Sequence, residues 1–165
     1  MEKVCKYFIT TATIILTIVV LAQNTRAIEW DSGLEIEDHK RMVVFIDGFN
    51  DDNQKAGLSK ELVRAKVELQ LRKNEISSNP ISNLEDGYLY INVNIVGSAY
   101  NVDLEFKRKV AYYSKGRTYN AIASVWETGG TGTYGQDSSI ILKNLSNLLD
   151  MFINDYLKAN QKLKQ

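Results

Sequence analysis

The period of the hydrophobic positions changes several times along the chain, and each change predicts a different element. Met42 to Ile46 is a continuous apolar run of β-formers that ends at an Asp-Gly turn signal, which predicts a strand covered on both faces. Helical spacing then runs from Leu58 or Ser59 to about Asn74, with Ser59 as the candidate N-cap. The residues predicted to form the apolar face of this helix are Leu58, Leu62, Ala65 and Leu69, widened by Val63, Val67 and Leu71.

Strand-like runs dominate the middle of the chain. The segment from Ile76 to Gly87 is rich in Ser and Asn, contains the only proline and predicts a loop. Apolar and polar residues then alternate over Leu89 to Ile95 and over Val102 to Phe106, and a third run spans Thr118 to Trp126. Short turns between alternating runs predict an antiparallel meander.

A second helical pattern closes the chain. Asp137, Ser138 or Ser139 can cap it, it reaches about Leu157, and a polar tail from Asn160 follows. The order predicts an α+β fold with a four-stranded mixed sheet, built from one strand, a helix, a three-strand meander and a helix. Both helices are expected on one face of the sheet, and the first strand is expected parallel to a neighbour through a right-handed crossover.

The N-terminus has the pattern of a secretory signal peptide. Lys3 and Lys6 precede an apolar run without charges, and Ala27 ends a polar stretch at a plausible cleavage site. We therefore predict a signal peptide over residues 1–27, a single α+β domain over residues 28–165, and a periplasmic or secreted location. The apolar run is slightly short of the roughly 20 residues that span a bilayer, which favours a cleaved signal peptide, and an uncleaved signal anchor stays open as the alternative.

The cysteine count and the net charge exclude several kinds of chemistry for the predicted mature domain. The only cysteine, Cys5, would leave with the signal peptide, which excludes disulfides, thiol catalysis and cysteine metal sites. Removing Lys3, Lys6, Arg26 and Glu2 leaves 17 basic and 19 acidic residues. This balance gives no electrostatic reason to bind nucleic acid or an anionic membrane surface.

The stretch GTGTYG, Gly130 to Gly135, matches the dinucleotide fingerprint G-x-G-x-x-G letter for letter. That fingerprint also needs a second parallel strand after the helix, with an acid at its end for the ribose. Here Asp150, at about the right spacing, lies inside the last helical pattern. We predict a glycine-rich connection from strand to helix with positive φ angles, and no nucleotide. Anion binding by Gly129 to Gly135 at the helix N-terminus stays open.

Three further candidates for chemistry have simpler structural explanations. Asp47 to Asn53 is acidic but lacks the ligand spacing of a calcium loop, so a solvated turn is expected. His39 is the only histidine, and without a G-x-S-x-G motif it is expected to be an exposed structural residue. Asp103 and Glu105 lie about 7 Å apart on one strand face, within the loose range for glycoside hydrolysis. The lysines that follow them favour a charge-balanced, solvated face.

The densest basic patch combines cations with aromatic residues, as platforms for single-stranded RNA do. The RNA-binding signature is missing, so we expect the patch to be the solvated end of a hairpin without a ligand. The alternatives are that it binds an acidic partner or a lipid headgroup. The patch comprises Lys107, Arg108, Lys109, Lys115 and Arg117, with Tyr112, Tyr113 and Tyr119 nearby.

Four passages resemble a group of bacterial exported proteins of unknown function. They are Glu61–Ile76, Gly87–Val96, the stretch ASVWETGGTGTYG, and the stretch LLDMFINDYLKAN. The predicted architecture is also similar to the anticodon-binding-like domain at the N-terminus of periplasmic TolB and in the curli secretion channel. That likeness implies a non-enzymatic assembly or docking module, although this chain lacks the β-propeller of TolB.

The sequence therefore predicts an exported, non-enzymatic protein that binds a protein or another envelope component. No catalytic residue, cofactor or metal ligand is predicted. The predicted partner-binding residues are Tyr90, Asn92 and Asn94, on the polar side of one strand. We expect no nucleic acid and no nucleotide as ligand, and membrane contact only if the signal segment stays uncleaved. An exported hydrolase with a site near the glycine-rich stretch, or a signal-anchored regulator of a membrane complex, are the alternatives.

Overall fold

The computed structural model describes residues 32–78 and 87–161 of the chain, so the predicted signal peptide and the proline lie outside the described residues. Among the described residues, no helix is both long and apolar enough to cross a membrane. The elements in chain order are β1 (Arg41–Asp47), α1 (Asp51–Lys55), α2 (Lys60–Lys73), β2 (Ser77–Ser78), β3 (Tyr88–Val96), β4 (Ala99–Ser114), β5 (Arg117–Thr133) and α3 (Ser139–Gln161).

The strands form one mixed sheet in the order β2-β1-β3-β4-β5. β1 is parallel to both β2 and β3, as predicted for the first strand, and β3, β4 and β5 form the predicted antiparallel meander. The predicted count of four strands is wrong, because Ser77 and Ser78 pair with Arg41 and Met42 inside the predicted loop. Two serines carry no hydropathy alternation, so this short edge strand leaves no signal in the sequence.

The core lies between one face of the sheet and the two long helices. Alternate residues of β3 and β4 point into it, and the polar residues between them lie on the opposite face. Burying one such side chain contributes about 1.5–3 kcal/mol relative to leaving it exposed. The core residues of these two strands are Leu89, Ile91, Val93 and Ile95, with Tyr100, Val102, Leu104 and Phe106.

Helix α2 begins where predicted, and the residues expected to widen its apolar face, Val63, Val67 and Leu71, are the ones that are buried. The Ser59 side chain caps it by accepting a hydrogen bond from the backbone N–H of Leu62 at 3.1 Å. Leu62 and Leu69 are 44% and 49% exposed, whereas Val63 and Val67 are fully buried. Neighbouring residues lie about 100° apart on a helix, so the predicted face was displaced by one position.

The β4–β5 hairpin extends well beyond the rest of the sheet. β3 pairs with β4 only as far as Lys107, and the hairpin continues from there as a two-stranded ribbon. Its base is marked by a register shift, because Phe106 pairs with Trp126 while Lys107 pairs with Ser124. Val125 is left over as a β-bulge. We call residues 107–124 the arm.

Candidate functional site

The polar face of the sheet carries all three predicted partner-binding residues. Tyr90, Asn92 and Asn94 alternate along β3 and lie directly opposite Glu105, Asp103 and Asn101 of β4. The buried residues of α2 and α3 all belong to the cluster on the other face. In the described part of the chain this side of β3, β4 and β5 is therefore not covered by α2 or α3. We call it the open face.

Tyr90 is held in place at the centre of the open face. Its hydroxyl donates a hydrogen bond to Asp47 Oδ2 at 3.1 Å. The Lys107 ammonium lies 4.2 Å from the centroid of the Tyr90 ring, a cation–π distance. The same ammonium is 3.3 Å from the Glu105 carboxylate. Tyr90 of β3 thus contacts β1 through its hydroxyl and β4 through its ring.

The pKa values of this pair follow from the same contacts. The backbone N–H of Gly48 and then the Tyr90 hydroxyl lower the pKa of Asp47. Partial burial, and then the nearby Asp47 carboxylate, raise the pKa of Tyr90. Asp47 is therefore ionised and Tyr90 protonated near neutral pH, which keeps the hydrogen bond between them.

The two asparagines also contact neighbouring elements. Asn94 Oδ1 accepts a hydrogen bond from Asn50 Nδ2 at 3.2 Å. The Asn92 side chain lies against Gly48, which has a φ of 81° and no room for a Cβ atom beside it. The structure therefore brings the three predicted residues into one row and fixes each of them.

An acidic hollow lies beside this row, and the sequence analysis missed one of its members. Asp103, Glu105 and Glu127 line it together with Thr128 and Gly129. Gly129 faces Asp103 across the strands, and a Cβ atom there would lie 2.6 Å from Asp103 Oδ1. None of the described residues forms a group of three or more His, Cys, Asp or Glu that could hold a metal ion.

The glycine-rich stretch is a strand, which corrects the prediction of a connecting loop. Gly130 pairs with Val102 and Gly132 with Tyr100, and both have ordinary extended φ angles. A Cβ atom on Gly130 would lie 2.8 Å from the Asn144 amide, and one on Gly132 would lie 2.9 Å from the Tyr100 hydroxyl. These glycines make room for side chains in the layer between sheet and helix.

Only the last glycine of the motif turns the chain. Gly135 has a φ of 52° and lies in the short connection between β5 and α3. The Asp137 carboxylate accepts a hydrogen bond from the backbone N–H of Ser139 at 2.9 Å, so a side chain of the protein already occupies that helix end. The residues that match the fingerprint therefore form the end of strand β5 and the turn that leads into α3.

His39 lies far from the glycine stretch. It lines a hollow with residues of the last turn of α3, Leu157 and Asn160 among them. The helix of 23 residues spans about 33 Å, and Gly135 precedes its other end. The structure therefore does not bring His39 to the glycine stretch, as the hydrolase alternative would require.

The acidic segment after β1 caps a short helix. Asn50 Oδ1 accepts hydrogen bonds from the backbone N–H groups of Asp52 and Asn53 at 3.0 and 3.1 Å. The Asp52 carboxylate binds the Lys55 ammonium at 3.0 Å and the backbone N–H of Gly97 at 3.2 Å. The expectation of a solvated turn is therefore corrected to a capped helix, α1.

The basic patch forms the arm, as the prediction of a hairpin end required. Tyr112 and Tyr119 stack across its two strands, with ring centroids 5.4 Å apart and planes at 19°. At its base, Arg108 donates hydrogen bonds to the backbone carbonyls of Gly33 and Glu35 at 3.1 and 2.8 Å. Lys109, Lys115 and Arg117 are exposed, whereas Lys107 is half-buried.

Comparison with known proteins places the chain in no family. No family model matches it, and no curated protein matches it. Among solved structures it is similar to a minor lipoprotein from Acinetobacter baumannii, with 9% identity and a TM-score of 0.33, over 72% of this chain and 90% of that one. A TM-score this low does not establish a shared fold. The similarity to the TolB N-terminal domain stays a prediction.

Proposed function

We propose that the protein is an exported, non-enzymatic binding module of the cell envelope, and that the open face holds a protein partner. The N-terminal signal pattern supports export. The observation that carries the binding role is the open face itself. It presents a row of polar and aromatic side chains, fixed by mutual contacts on a sheet that α2 and α3 leave uncovered on this side.

Such a surface favours recognition because its side chains are already ordered. A binding site loses affinity when it must immobilise side chains, and preorganisation lowers that entropic cost. Tyr90 is held at both its ring and its hydroxyl. Strands also position side chains more accurately than loops do.

The charge of the open face indicates the chemistry of the partner. Four carboxylates lie on it or at its edge, those of Asp47, Asp103, Glu105 and Glu127, against the ammonium groups of Lys107 and, further along the same side of β4, Lys109. A partner segment that carries Lys or Arg complements this field. The amides of Asn92 and Asn94 add donors and acceptors that fix its orientation.

The placement of the titratable groups supports binding rather than catalysis. Glu105 is paired with Lys107, and Asp103 accepts a hydrogen bond from Asn101. Catalytic groups need mutual geometry within hydrogen-bond reach. His39, near the C-terminal end of α3, is remote from the carboxylates that line the acidic hollow.

Affinity capture from envelope extract tests the proposal. The exported chain serves as bait, and the variant Asp103→Asn with Glu127→Gln removes two charges from the acidic hollow while keeping side-chain shape. Recovery of a specific protein partner is expected to fall about tenfold or more, since close interfacial charge pairs are worth about 1.5 kcal/mol or more.

The matched control removes two exposed charges elsewhere, through Glu37→Gln and Glu75→Gln. This control is expected to recover the partner like the unchanged chain. Equal loss in both variants, or no loss in the open-face variant, would contradict the assignment of this surface.

A further inference from the structure

The charges of the arm are segregated from those of the rest of the domain. Residues 107–124 contain five basic residues and no acidic one, whereas the domain outside the arm carries an excess of acids. Like charges along one stretch of chain repel each other, and their free energy is lowered when the stretch meets a surface of opposite charge. The arm therefore has the electrostatics of an anion-binding element on an otherwise acidic domain.

Two of the five cations already make contacts within the domain. Lys107 is paired with Glu105, and Arg108 donates to backbone carbonyls of the segment before β1. The other three are exposed, and they are Lys115 and Arg117 at the tip and Lys109 two positions from the base. Within the described residues these three make no ion pair, so their charge is available to a partner.

Apolar side chains lie on both faces of the same ribbon. Tyr112 and Tyr119 stack on one face. The register puts Tyr113 and Ile122 on the other face, where they are 75% and 62% exposed. Single exposed apolar residues are common on protein surfaces, but here four of them, Tyr112, Tyr113, Tyr119 and Ile122, lie on one basic ribbon.

We propose that the tip of the arm docks on an anionic lipid bilayer, at the level of the headgroups. Tyrosine suits that level, because its ring is apolar and its hydroxyl is polar. Lysine and arginine near an anionic membrane surface are each worth a factor of about five in partitioning. The tip lies beyond the part of β4 that pairs with β3, away from the row of Tyr90, Asn92 and Asn94. This contact does not depend on an uncleaved signal segment.

The ribbon geometry limits how deep the tip goes. Beyond Lys107, β4 pairs only with β5, so the outer edges of both strands have unpaired backbone groups among the described residues. Such groups are too costly to place in hydrocarbon. The arm therefore rests among headgroups and binds reversibly.

The distribution of the side chains favours lipid over an acidic protein. A folded partner covers one face of a ribbon, and the apolar groups would then be gathered on that face. Here the adjacent residues Tyr112 and Tyr113 lie on opposite faces of the ribbon, so apolar groups are present on both faces near the tip. A fluid interface surrounds an inserted tip in the same way.

Vesicle co-sedimentation tests the inference on the exported chain. The vesicles contain either phosphatidylglycerol with phosphatidylethanolamine, or phosphatidylcholine alone. We expect the chain to bind the anionic vesicles and this binding to weaken as salt is added. We also expect binding to fall about a hundredfold in the triple variant Lys109→Gln, Lys115→Gln, Arg117→Gln. Tyr113→Ser with Ile122→Ser is expected to weaken it separately.

The matched control removes three exposed cations from the helices, through Lys66→Gln, Lys143→Gln and Lys158→Gln. It is expected to bind like the unchanged chain. Equal binding to neutral and anionic vesicles, or equal loss in both triple variants, would overturn the proposal. It would also be overturned if the arm variant lost only crosslinks to an acidic protein, or only salt-sensitive self-association.

Discussion

The side chain of Asn160 accepts a hydrogen bond from the backbone N–H of Ile36 at 3.0 Å, across 124 positions of sequence. Its amide nitrogen donates to the backbone carbonyls of Leu34 and Tyr156 at 3.0 and 2.8 Å. Asn160 is 2% exposed, in a part of the chain predicted to be a polar tail. The last turn of α3 therefore fixes the segment that enters β1.

We predict that Asn160→Ala lowers the free energy of unfolding by about 2 kcal/mol or more. The change removes the side-chain partner of the buried Ile36 N–H and of the Leu34 carbonyl, and each such group costs about 1–3 kcal/mol. Urea unfolding of the exported chain measures it. Asn154→Ala, at an exposed position of the same helix, is the control and is expected to change stability by about 0.5 kcal/mol or less. Equal urea midpoints for the two variants would refute the role of Asn160.

A substitution in the glycine stretch tests the space under α3. Gly130→Ala is expected to cost about 1–3 kcal/mol through overpacking against Asn144, although alanine normally improves on glycine in a strand. The cost is expected to shrink when Asn144→Ala is present, with a coupling of about 1 kcal/mol in a double-mutant cycle. Thr131→Ala, the next residue on the opposite face, is the control. Additive costs for Gly130 and Asn144 would argue against the contact.

The contact between Tyr90 and Asp47 makes a pH-dependent contribution to stability. Because the folded-state pKa of Asp47 is lowered from 3.8, its contribution is present above that value and is lost as the pH falls through the lower folded-state pKa. The stability lost on Tyr90→Phe is therefore expected to be constant above pH 3.8 and to shrink as the pH falls below that value through the lower folded-state pKa, measured by urea unfolding.

Tyr88→Phe is the control for this pH effect, since within the described residues the Tyr88 hydroxyl has no hydrogen bond and its ring packs on Phe45. Its effect on stability is expected not to vary with pH in the same window. A deficit of Tyr90→Phe that stayed constant down to about pH 3 would mean that the hydroxyl contributes without the Asp47 charge.

The tyrosine stack is expected to keep the arm closed. Cross-strand aromatic pairs contribute about 0.2–1 kcal/mol, so Tyr119→Ala should raise local opening of the arm up to about fivefold. Hydrogen exchange of amides in residues 109–122 measures this, and amides of the core half of β4 are expected to stay unchanged. Thr118→Ala is the matched control. A uniform rise across the whole domain would show that the arm is not an independent unit.

Hydropathy predicted the elements that bury apolar residues at a regular period. Leu89 and Ile91 are buried where the alternation of β3 placed them, and the Ser59 cap marks the start of α2 as predicted. Both signals are local, so the sequence displays them directly.

The short helix α1 was missed because it buries an asparagine instead of an apolar residue. Asn53 is fully buried and donates to the backbone carbonyl of Val93 at 3.0 Å. The helix therefore has no apolar period from which to predict it. Its capping residue, Asn50, was the only local signal.

The acidic hollow was missed because its third carboxylate lies beyond a bulge. Counting alternate positions along β5 from Thr118 assigns Glu127 to the wrong side, since Val125 adds one residue to the strand. The glycines of β5 were likewise predicted as a loop because glycine has low strand propensity. The need for space beside Tyr100 and Asn144 overrides that propensity, and only tertiary structure reveals it.

The bulge at Val125 has a consequence for how the domain is built. Phe106 and Trp126 still face each other directly on its core side, so a tight turn joining these two residues would close a shorter hairpin in register. Every side chain of the core sheet would keep its face. The arm is in this sense an insertion into the sheet, anchored at its base by the contacts of Lys107 and Arg108.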